Sequence, residues 1–318
     1  MAYVMPFERP VAELETKLES LRRLDRGDNP ELHAEIQALA DEIDRLRDEL
    51  YSHLSPWMRV QISRHPARPK TQDYVAELFS DVIELHGDRA FGDDEAILAA
   101  LATFEGRRCA VLGHRKGKTT KENLRRHFGY PQPEGFRKAR RLMRLAGKFG
   151  LPIITLLDSP GAYPGIDAEE RGQAWAIAEA LSELSAVPVP VVVVDIGEGG
   201  SGGALAIGFG DRLIMLENAY YSVSSPEAAA SILYKDTEHA EELAASLHMS
   251  AEDLLGLGIA DEVLPEPPGG AHRDPSLVYG EVRSAVHRAL DDLCERSADE
   301  LVAGRWERLR ALGVYAEQ

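Results

Sequence analysis

Cysteine and positive charge are both scarce in this sequence. Of its 318 residues only two are cysteines, Cys109 and Cys294, and they stand far apart in no metal-ligand spacing. This scarcity argues against a disulfide framework and against a zinc site, and it fits a reducing cytosol. The 36 basic residues are outnumbered by 53 acidic ones, so the net charge is −17. Such an acidic chain is not expected to bind nucleic acid or an anionic membrane nonspecifically.

Long apolar runs are missing as well. No run reaches the ~18 residues that a membrane-spanning helix requires, so we expect no membrane span. The first ten residues contain no basic stretch followed by an apolar one, so we expect no signal peptide and a cytoplasmic location. The length is sufficient for a full hydrophobic core in one large domain or in two.

The N-terminal residues 11–50 differ in pattern from the rest of the chain. Leucine and isoleucine recur at helical spacing on both sides of a break at residues 27–30, which predicts a helical hairpin. The hairpin either packs on its own domain or contacts another subunit. The heptads are too few for a long coiled coil. We delimit a hairpin at residues 1–55 and a second domain at 56–318.

The second domain has the alternating pattern of an α/β protein. After an irregular stretch, a helix is predicted to begin at Thr71, with Thr71 as its cap. Strands and helices then alternate, which predicts parallel strands joined by right-handed crossovers. The expected strands are 96–104 and 108–113, which form a β-hairpin, and 151–157, 190–195, 212–216 and 259–264. The main expected helices are 133–146, 168–185, 203–208, 238–247, 250–256, 275–295 and 298–312, with another starting at 225–227.

Two glycine-rich turns, each following an apolar strand, are the most informative feature. The runs 151–158 and 188–195 are short, β-branched and apolar on both faces, as buried parallel strands are. Glycines follow each run, and a helical pattern follows the glycines. A turn of this kind exposes backbone N–H groups at a helix N-terminus, where they suit an oxyanion or a phosphate. Two such turns indicate a site that stabilises negative charge with backbone groups.

The second turn also matches two better-known motifs. Gly197, Gly199 and Gly202 fit a dinucleotide fingerprint, but only nine residues separate Gly202 from the strand at Arg212. A βαβ crossover needs at least ~10–12 residues, so NAD binding is disfavoured. Ser201 fits a nucleophile elbow, which would require a histidine partner. Because five of residues 197–203 are glycine, we favour a small turn residue over a nucleophile. The later histidines are His239, His248, His272 and His287.

A basic island at residues 116–127 stands out in this acidic chain. Its beginning, Gly113 to Thr119, resembles a P-loop but has three residues between the glycines where the motif needs four. The island is either a solvated loop or a loop that holds the phosphates of a nucleotide-like cofactor. Lys116 and Lys118 are the main candidates for phosphate contact, together with Arg125 and Arg126.

A series of motifs in order along the chain resembles one known family. The sequence is similar to the α subunits of bacterial acetyl-CoA carboxylase carboxyltransferases. It departs from their pattern at Ala228-Ala229, where Gly-Cys is expected, and at Asp167 and Thr120. The resemblance covers about residues 7–290 and rests on residues 7–8, 10–15, 65–69, 87–90, 113–117, 125–129, 133–135, 158–165, 168–173, 196–208, 225–227, 265–267 and 269–273.

The resemblance implies a crotonase-like fold, a spiral of ββα turns, with C-terminal helices from about residue 275. It implies transfer of a carboxyl group from carboxybiotin, on a biotin carboxyl carrier protein, to acetyl-CoA. The malonyl-CoA formed starts fatty acid biosynthesis. It also implies a β subunit in an α2β2 assembly and a biotin carboxylase as a further partner. Zinc is expected only on the β subunit, and no covalently bound cofactor is expected on this chain.

Carboxyl transfer requires donors aimed at oxyanions, because carboxybiotin leaves a urea oxyanion and acetyl-CoA an enolate. We predict the backbone N–H groups of Gly202 and Gly203 as these donors, with Gly161 and Ala162 forming the wall beside them. Of the two oxyanions, we favour that of biotin as the one stabilised by this subunit. The released biotin anion can act as the base, so no side-chain base is required. Further substrate-binding candidates are Tyr163, Gly199, Gly200, Ser201, Lys116 and Lys118.

Three other functions compete with this one. A stand-alone crotonase-like hydratase or isomerase would need carboxylates near a turn, and Glu169, Glu170 and Glu198 are available. A serine hydrolase would use Ser201. A non-catalytic scaffold would dock a partner through the N-terminal hairpin.

Overall fold

One β-sheet forms the centre of the fold in the computed structural model, which describes residues 3–25 and 29–313. Within these residues the sheet has eight strands. They are β1 (Ser80–Glu84), β2 (Ile97–Phe104), β3 (Arg107–His114), β4 (Ile153–Ser159), β5 (Val191–Gly200), β6 (Arg212–Leu216), β7 (Tyr220–Ser222) and β8 (Glu262–Leu264). Their order in the sheet is β1-β2-β3-β4-β5-β6-β8. β7 pairs with the C-terminal end of β5, past the part of β5 that pairs with β6.

Helices surround this sheet and account for most of the remaining described residues. None of them combines the length and the apolar character needed to cross a membrane, as far as the described residues go. They are α1 (Arg9–Leu24), α2 (Pro30–Ser52), α3 (Pro56–Ser63), α4 (Thr71–Leu78), α5 (Thr120–Arg125), α6 (Pro133–Phe149), α7 (Ile166–Glu170), α8 (Gln173–Ala186), α9 (Ser201–Gly208), α10 (Pro226–Tyr234), α11 (Ala240–Ser246), α12 (Ala251–Gly256), α13 (Pro275–Cys294) and α14 (Ala298–Ala311).

The parallel part of the sheet confirms the sequence prediction. β1, β2 and β3 are antiparallel, whereas β3, β4, β5, β6 and β8 pair in parallel. Every residue of β4 and β5 is buried, as expected for strands covered by helices on both faces. Parallel strands end at the same edge of the sheet, so the turns that follow β4 and β5 lie side by side.

The N-terminal hairpin is formed by α1 and α2, which have a small apolar core of their own around Val11, Leu18 and Ile43. Residues 27 and 28 of the predicted break lie outside the described residues, and Asn29 caps α2. The start of the chain contacts the body where Glu8 pairs with Arg273. A role of the hairpin in contacting another subunit stays a prediction.

The structure corrects the sequence interpretation in three places. Thr71 is not the cap of α4; it is the first helical residue, and its buried hydroxyl donates to the carbonyl of His114. The helix expected at 168–185 is divided into α7 and α8, because Gly172 adopts a φ of 81° between them. β1 and β7 were not predicted, since β1 is exposed and β7 has only three residues.

A buried arginine attaches the C-terminal helix α14 to the body. The Arg305 side chain is fully buried, and its Nε lies 2.7 Å from Asp211 Oδ1. Its guanidinium also donates to the carbonyl oxygens of Leu184 and Val187, at 3.1 and 2.6 Å. Asp211 in turn accepts from the N–H of Val191 at the start of β5. The arginine therefore donates hydrogen bonds to carbonyl groups at the C-terminal end of α8 as well as to a buried carboxylate.

We predict that Arg305→Ala lowers the free energy of unfolding by about 3–5 kcal/mol, because it leaves the Asp211 charge buried without its partner. Denaturant unfolding followed by circular dichroism measures this loss. Arg310→Ala is the matched control, since Arg310 is exposed on the same helix. Surface changes of this kind stay within about 0.5 kcal/mol. Equal stability of the two variants would show that Arg305 does not anchor α14.

Candidate active site

The two glycine turns are in direct backbone contact. A Cβ atom placed on Gly203 would lie 2.4 Å from the carbonyl carbon of Gly161 and 2.5 Å from the nitrogen of Ala162. Only glycine leaves room for this contact. Gly202 differs from it, since a Cβ there would meet only Ile177 at the ordinary distance of 3.6 Å. Four residues predicted from the sequence are thus brought together, and Gly203 is the one on which the contact depends.

The predicted donors lie at the N-terminus of α9. Gly200 occupies the N-cap position and has no side chain to cap the helix. The first N–H groups of a helix have no intrahelical acceptor, so those of Ser201, Gly202 and Gly203 are available to a ligand. The helix dipole adds partial positive charge at the same place. Ser201 has a φ of 51°, which is uncommon for a residue with a side chain and typical of strained functional sites.

The first turn is held in shape by hydrogen bonds around Ser159. Its hydroxyl lies 2.8 Å from the carbonyl oxygen of Gly129 and 2.9 Å from that of Gly161. The N–H of Tyr163 donates to Pro131 at 2.9 Å, and the Gln173 amide donates to the carbonyl oxygens of both. Gly161 itself has a φ of 148°, which a side chain would disfavour. The turn that presents Ala162 is therefore fixed before any ligand arrives.

Gly199 and Gly200 are required by their neighbours in the protein. A Cβ on Gly200 would lie 2.3 Å from the carbonyl oxygen of Pro160, and one on Gly199 would meet the Tyr221 ring at 2.2 Å. Beneath Gly199, Asp195 accepts a hydrogen bond from the N–H of Gly197, and burial raises its pKa well above its ordinary value. This packing explains the two glycines, and their contact with substrate stays a prediction.

A partly buried ion-pair network lies below the turns. The Lys116 ammonium is 2.6 Å from Asp158 Oδ1 and also contacts Glu198. Arg64 pairs with Glu198, Nε to Oε1 at 2.6 Å, and with Glu227. Burial alone would raise the pKa of Glu198, but Lys116 and Arg64 hold it down at about 2. Burial would likewise lower the pKa of Lys116, but the two carboxylates raise it.

These contacts change the interpretation of the basic island. Lys116 was predicted to contact phosphate, yet its side chain is only 13% exposed and its charge is balanced by two carboxylates. Lys118 is 55% exposed and pairs with Asp73. Of the two lysines, only Lys118 retains a solvent-facing ammonium, so the geometry favours an internal role for Lys116.

His114, which was not predicted as a site residue, connects the two turns. Its Nδ1 accepts a hydrogen bond from the Asp158 N–H at 3.4 Å, and its Nε2 lies 3.1 Å from the Gly203 carbonyl oxygen. Burial lowers the pKa of His114 to about 4, so the ring is neutral at pH 7. The first contact makes Nδ1 the acceptor and leaves the proton on Nε2. Its position at the end of β3, next to β4, was the signal available in the sequence.

The competing chemistries lack their partners in this geometry. No histidine among the described residues hydrogen-bonds to the Ser201 hydroxyl. His272 stacks on His65 with ring centroids 3.7 Å apart. His248 and His287 are exposed, and the half-buried His239 contacts Glu242. Glu169 and Glu170 are exposed on α7, and Glu198 is held in ion pairs. Nor do histidine, cysteine, aspartate and glutamate side chains within the described ranges form a metal-binding group of three or more.

Apolar side chains are exposed beside both turns. After the first turn, Ile166 is 76% and Trp175 72% exposed. Beside the second turn, Val223 is 77% exposed and lines a cavity of about 290 Å³ that reaches Ser201 and Gly202. Exposed apolar groups clustered around a site are typical of an interaction surface.

Known proteins resemble this chain closely. The acetyl co-enzyme A carboxylase carboxyltransferase-like family matches residues 4–313. The acetyl-coenzyme A carboxylase carboxyl transferase subunit alpha of Thermus thermophilus is 50% identical over 313 residues, which cover 98% of this chain and 99% of that relative. The corresponding subunit of Listeria monocytogenes is 49% identical over 315 residues, 99% of each chain.

Solved structures share the fold at low identity. Transcarboxylase 12S has a TM-score of 0.59 and 18% identity, covering 72% of this chain and 43% of its own. A malonate decarboxylase hetero-tetramer from Pseudomonas has a TM-score of 0.56 and 22% identity, covering 70% and 89%. The expected crotonase-like α/β fold is thereby confirmed. From these similarities and the two touching turns we conclude that the chain belongs to the family of acetyl-CoA carboxylase carboxyltransferase alpha subunits.

Proposed function

We propose that this chain provides one half of the active site of an acetyl-CoA carboxylase carboxyltransferase. It takes part in moving a carboxyl group from carboxybiotin, on a biotin carboxyl carrier protein, to acetyl-CoA. The product is malonyl-CoA, in the first committed step of fatty acid biosynthesis in the cytoplasm. The observation that carries this proposal is the uncapped N-terminus of α9, held by Gly203 against the first glycine turn.

The chemistry needs backbone donors more than side chains. When the N–C bond of carboxybiotin breaks, CO₂ leaves and negative charge develops on the ureido oxygen. The N–H groups of Gly202 and Gly203 stabilise that oxygen, and each donor of this kind contributes about 2.7–4 kcal/mol. The biotin anion then takes a proton from the acetyl methyl group, and the resulting enolate attacks CO₂ to form the new C–C bond. Beside α9, Glu198 is held in ion pairs and both ring nitrogens of His114 are hydrogen-bonded, in agreement with a base carried by the substrate.

A second subunit completes the site. The enolate oxygen of acetyl-CoA needs an oxyanion hole of its own, and we assign it to a β subunit in an α2β2 assembly, where zinc is also expected. The exposed Ile166, Trp175 and Val223 flank the turns and suit contact with that subunit. Lys118 is our candidate for contact with CoA or with the carrier, to which biotin carboxylase supplies the carboxyl group.

We predict that Gly203→Ala lowers kcat by ~10²–10³-fold, because the added Cβ separates the turns and misplaces a donor. The close contact with Gly161 predicts some loss of stability as well. Gly304→Ala in α14 is the control, since a Cβ there would meet no neighbouring atom within 4 Å. Steady-state kinetics and melting temperatures of the assembled enzyme test this, and wild-type rates for Gly203→Ala would remove the turn from the active site.

We predict that Ser201→Ala retains most of the carboxyl transfer activity, because the site acts through backbone N–H groups that the substitution preserves. The rate of malonyl-CoA formation by the assembled enzyme is the measurement. A near-complete loss of turnover in a variant that folds and assembles normally would instead support a nucleophilic serine.

We predict that the isolated chain is inactive and that mixing it with a β subunit restores malonyl-CoA-dependent carboxylation of free biotin. Each chain supplies only one oxyanion hole, so neither suffices alone. Sedimentation of the mixture reports the assembly, and the carboxylation assay reports activity. Full activity of a monomeric isolated chain would contradict the split site. An inactive complex with both subunits present would contradict the proposed reaction.

A further inference from the structure

The ends of three neighbouring strands meet beneath the candidate oxyanion hole. β4 and β5 end in the two glycine turns, and β3 lies parallel to β4 on its other side. His114 is the last residue of β3, and Lys116 follows two positions later. The His114 side chain is fully buried and that of Lys116 is 13% exposed, and both point toward the turns. The end of β3 is therefore the element that touches the strands from which both turns emerge.

Lys116 joins the bases of the two turns. Asp158 is the penultimate residue of β4, and Glu198 is near the end of β5. Both carboxylates are more than nine-tenths buried, and the Lys116 ammonium contacts both. Two buried carboxylates this close to one ammonium would repel each other without it. The lysine thus compensates both carboxylates at the place where the turns begin.

The path of Lys116 is shaped for this contact. A Cβ on Gly129 would lie 2.7 Å from Lys116 Cγ, so glycine there leaves room for the lysine chain. After Lys116 the backbone of Gly117 packs closely against α5, since a Cβ on Gly117 would lie 2.4 Å from the nitrogen of Asn123. The Lys116 carbonyl oxygen accepts hydrogen bonds from Gln72 and Arg126, at 3.1 and 3.0 Å. Backbone and side chain are both fixed.

His114 acts closer to the donors. It accepts from the Asp158 N–H at the base of the first turn and donates through Nε2 to the carbonyl oxygen of Gly203. That carbonyl belongs to a residue whose own N–H is a proposed donor. The two hydrogen bonds of His114 therefore restrain the N-terminal end of α9 relative to β4. A neutral ring with a single tautomer suits this role, since each nitrogen has one defined function.

The charges of the network argue against an anion-binding role for Lys116. Lys116 and Arg64 contribute two positive charges, whereas Asp158, Glu198 and Glu227 contribute three negative charges. These ion pairs therefore leave no excess positive charge for a phosphate. An internal role explains the burial, the paired carboxylates and the glycine that makes room for the side chain.

We propose that His114 and Lys116 are positioning residues that align the two glycine turns, and thereby the N–H donors of α9, for carboxyl transfer. This inference rests on the proposed function. Displacing donors or substrate by about 1 Å can cost ~10²-fold in rate, so a change in either residue acts mainly on kcat. Contact with a substrate phosphate would act mainly on KM and would depend on salt.

The test uses the assembled αβ enzyme and the variant Lys116→Met, which keeps the length of the side chain and removes its charge. We expect kcat to fall by ~10²-fold while KM for malonyl-CoA changes less than about threefold. Lys148→Met is the control, because Lys148 is exposed at the far end of α6. A KM that rises with salt while kcat is unchanged would overturn the proposal, as would wild-type values of both. An inactive wild-type enzyme would refute the proposed function instead.

Three further variants keep the proposal testable if Lys116→Met folds poorly. Adding Asp158→Asn to Lys116→Met removes the carboxylate that has lost its lysine partner, whereas Glu198 keeps Arg64, and should recover at least tenfold of the lost kcat. His114→Gln keeps a donor for Gly203 and should exceed His114→Leu in kcat by ~10-fold at similar melting temperatures. Equal rates for glutamine and leucine at position 114, or no recovery in the double variant, would overturn the alignment role.

Discussion

The site depends on one backbone contact, in which Gly203 at the start of α9 lies against the carbonyl of Gly161 and the nitrogen of Ala162. Glycine is needed because any Cβ would force the two turns apart. The contact brings an uncapped helix N-terminus to the end of the neighbouring strand. Backbone N–H groups held in this way are rigid, and rigid donors stabilise a developing oxyanion without reorganising during the reaction.

The contact between the two turns lies next to a group of paired charges at the ends of β4 and β5. The ammonium of Lys116 between Asp158 and Glu198 replaces the apolar packing found elsewhere in the sheet. Burying charges is costly, and such clusters persist where each member is paired. Arg305 with Asp211 is a second example at the other side of the molecule. In both places charged side chains fix chain segments that leave the core.

The exposed apolar residues beside the turns suit a contact with another polypeptide. Ile166, Trp175 and Val223 flank the turns that carry the donors, in a protein whose net charge is −17. An acidic surface keeps such a chain soluble, while a local apolar patch allows a specific contact. The relatives are named as subunits, in agreement with a site shared between polypeptides.

The order of strands and helices was determined by the sequence, because β-branched runs and helical periodicity act locally. Most strands of the parallel sheet and both glycine turns were predicted from it. Tertiary structure decided the rest. β1 and β7 lacked a local signal, and the roles of His114 and Lys116 depend on which strands become neighbours. Lys116 belonged to a basic stretch in the sequence, and only the fold placed it between two distant carboxylates. Charge along a chain is visible in sequence, whereas the partner of each charge is set by packing.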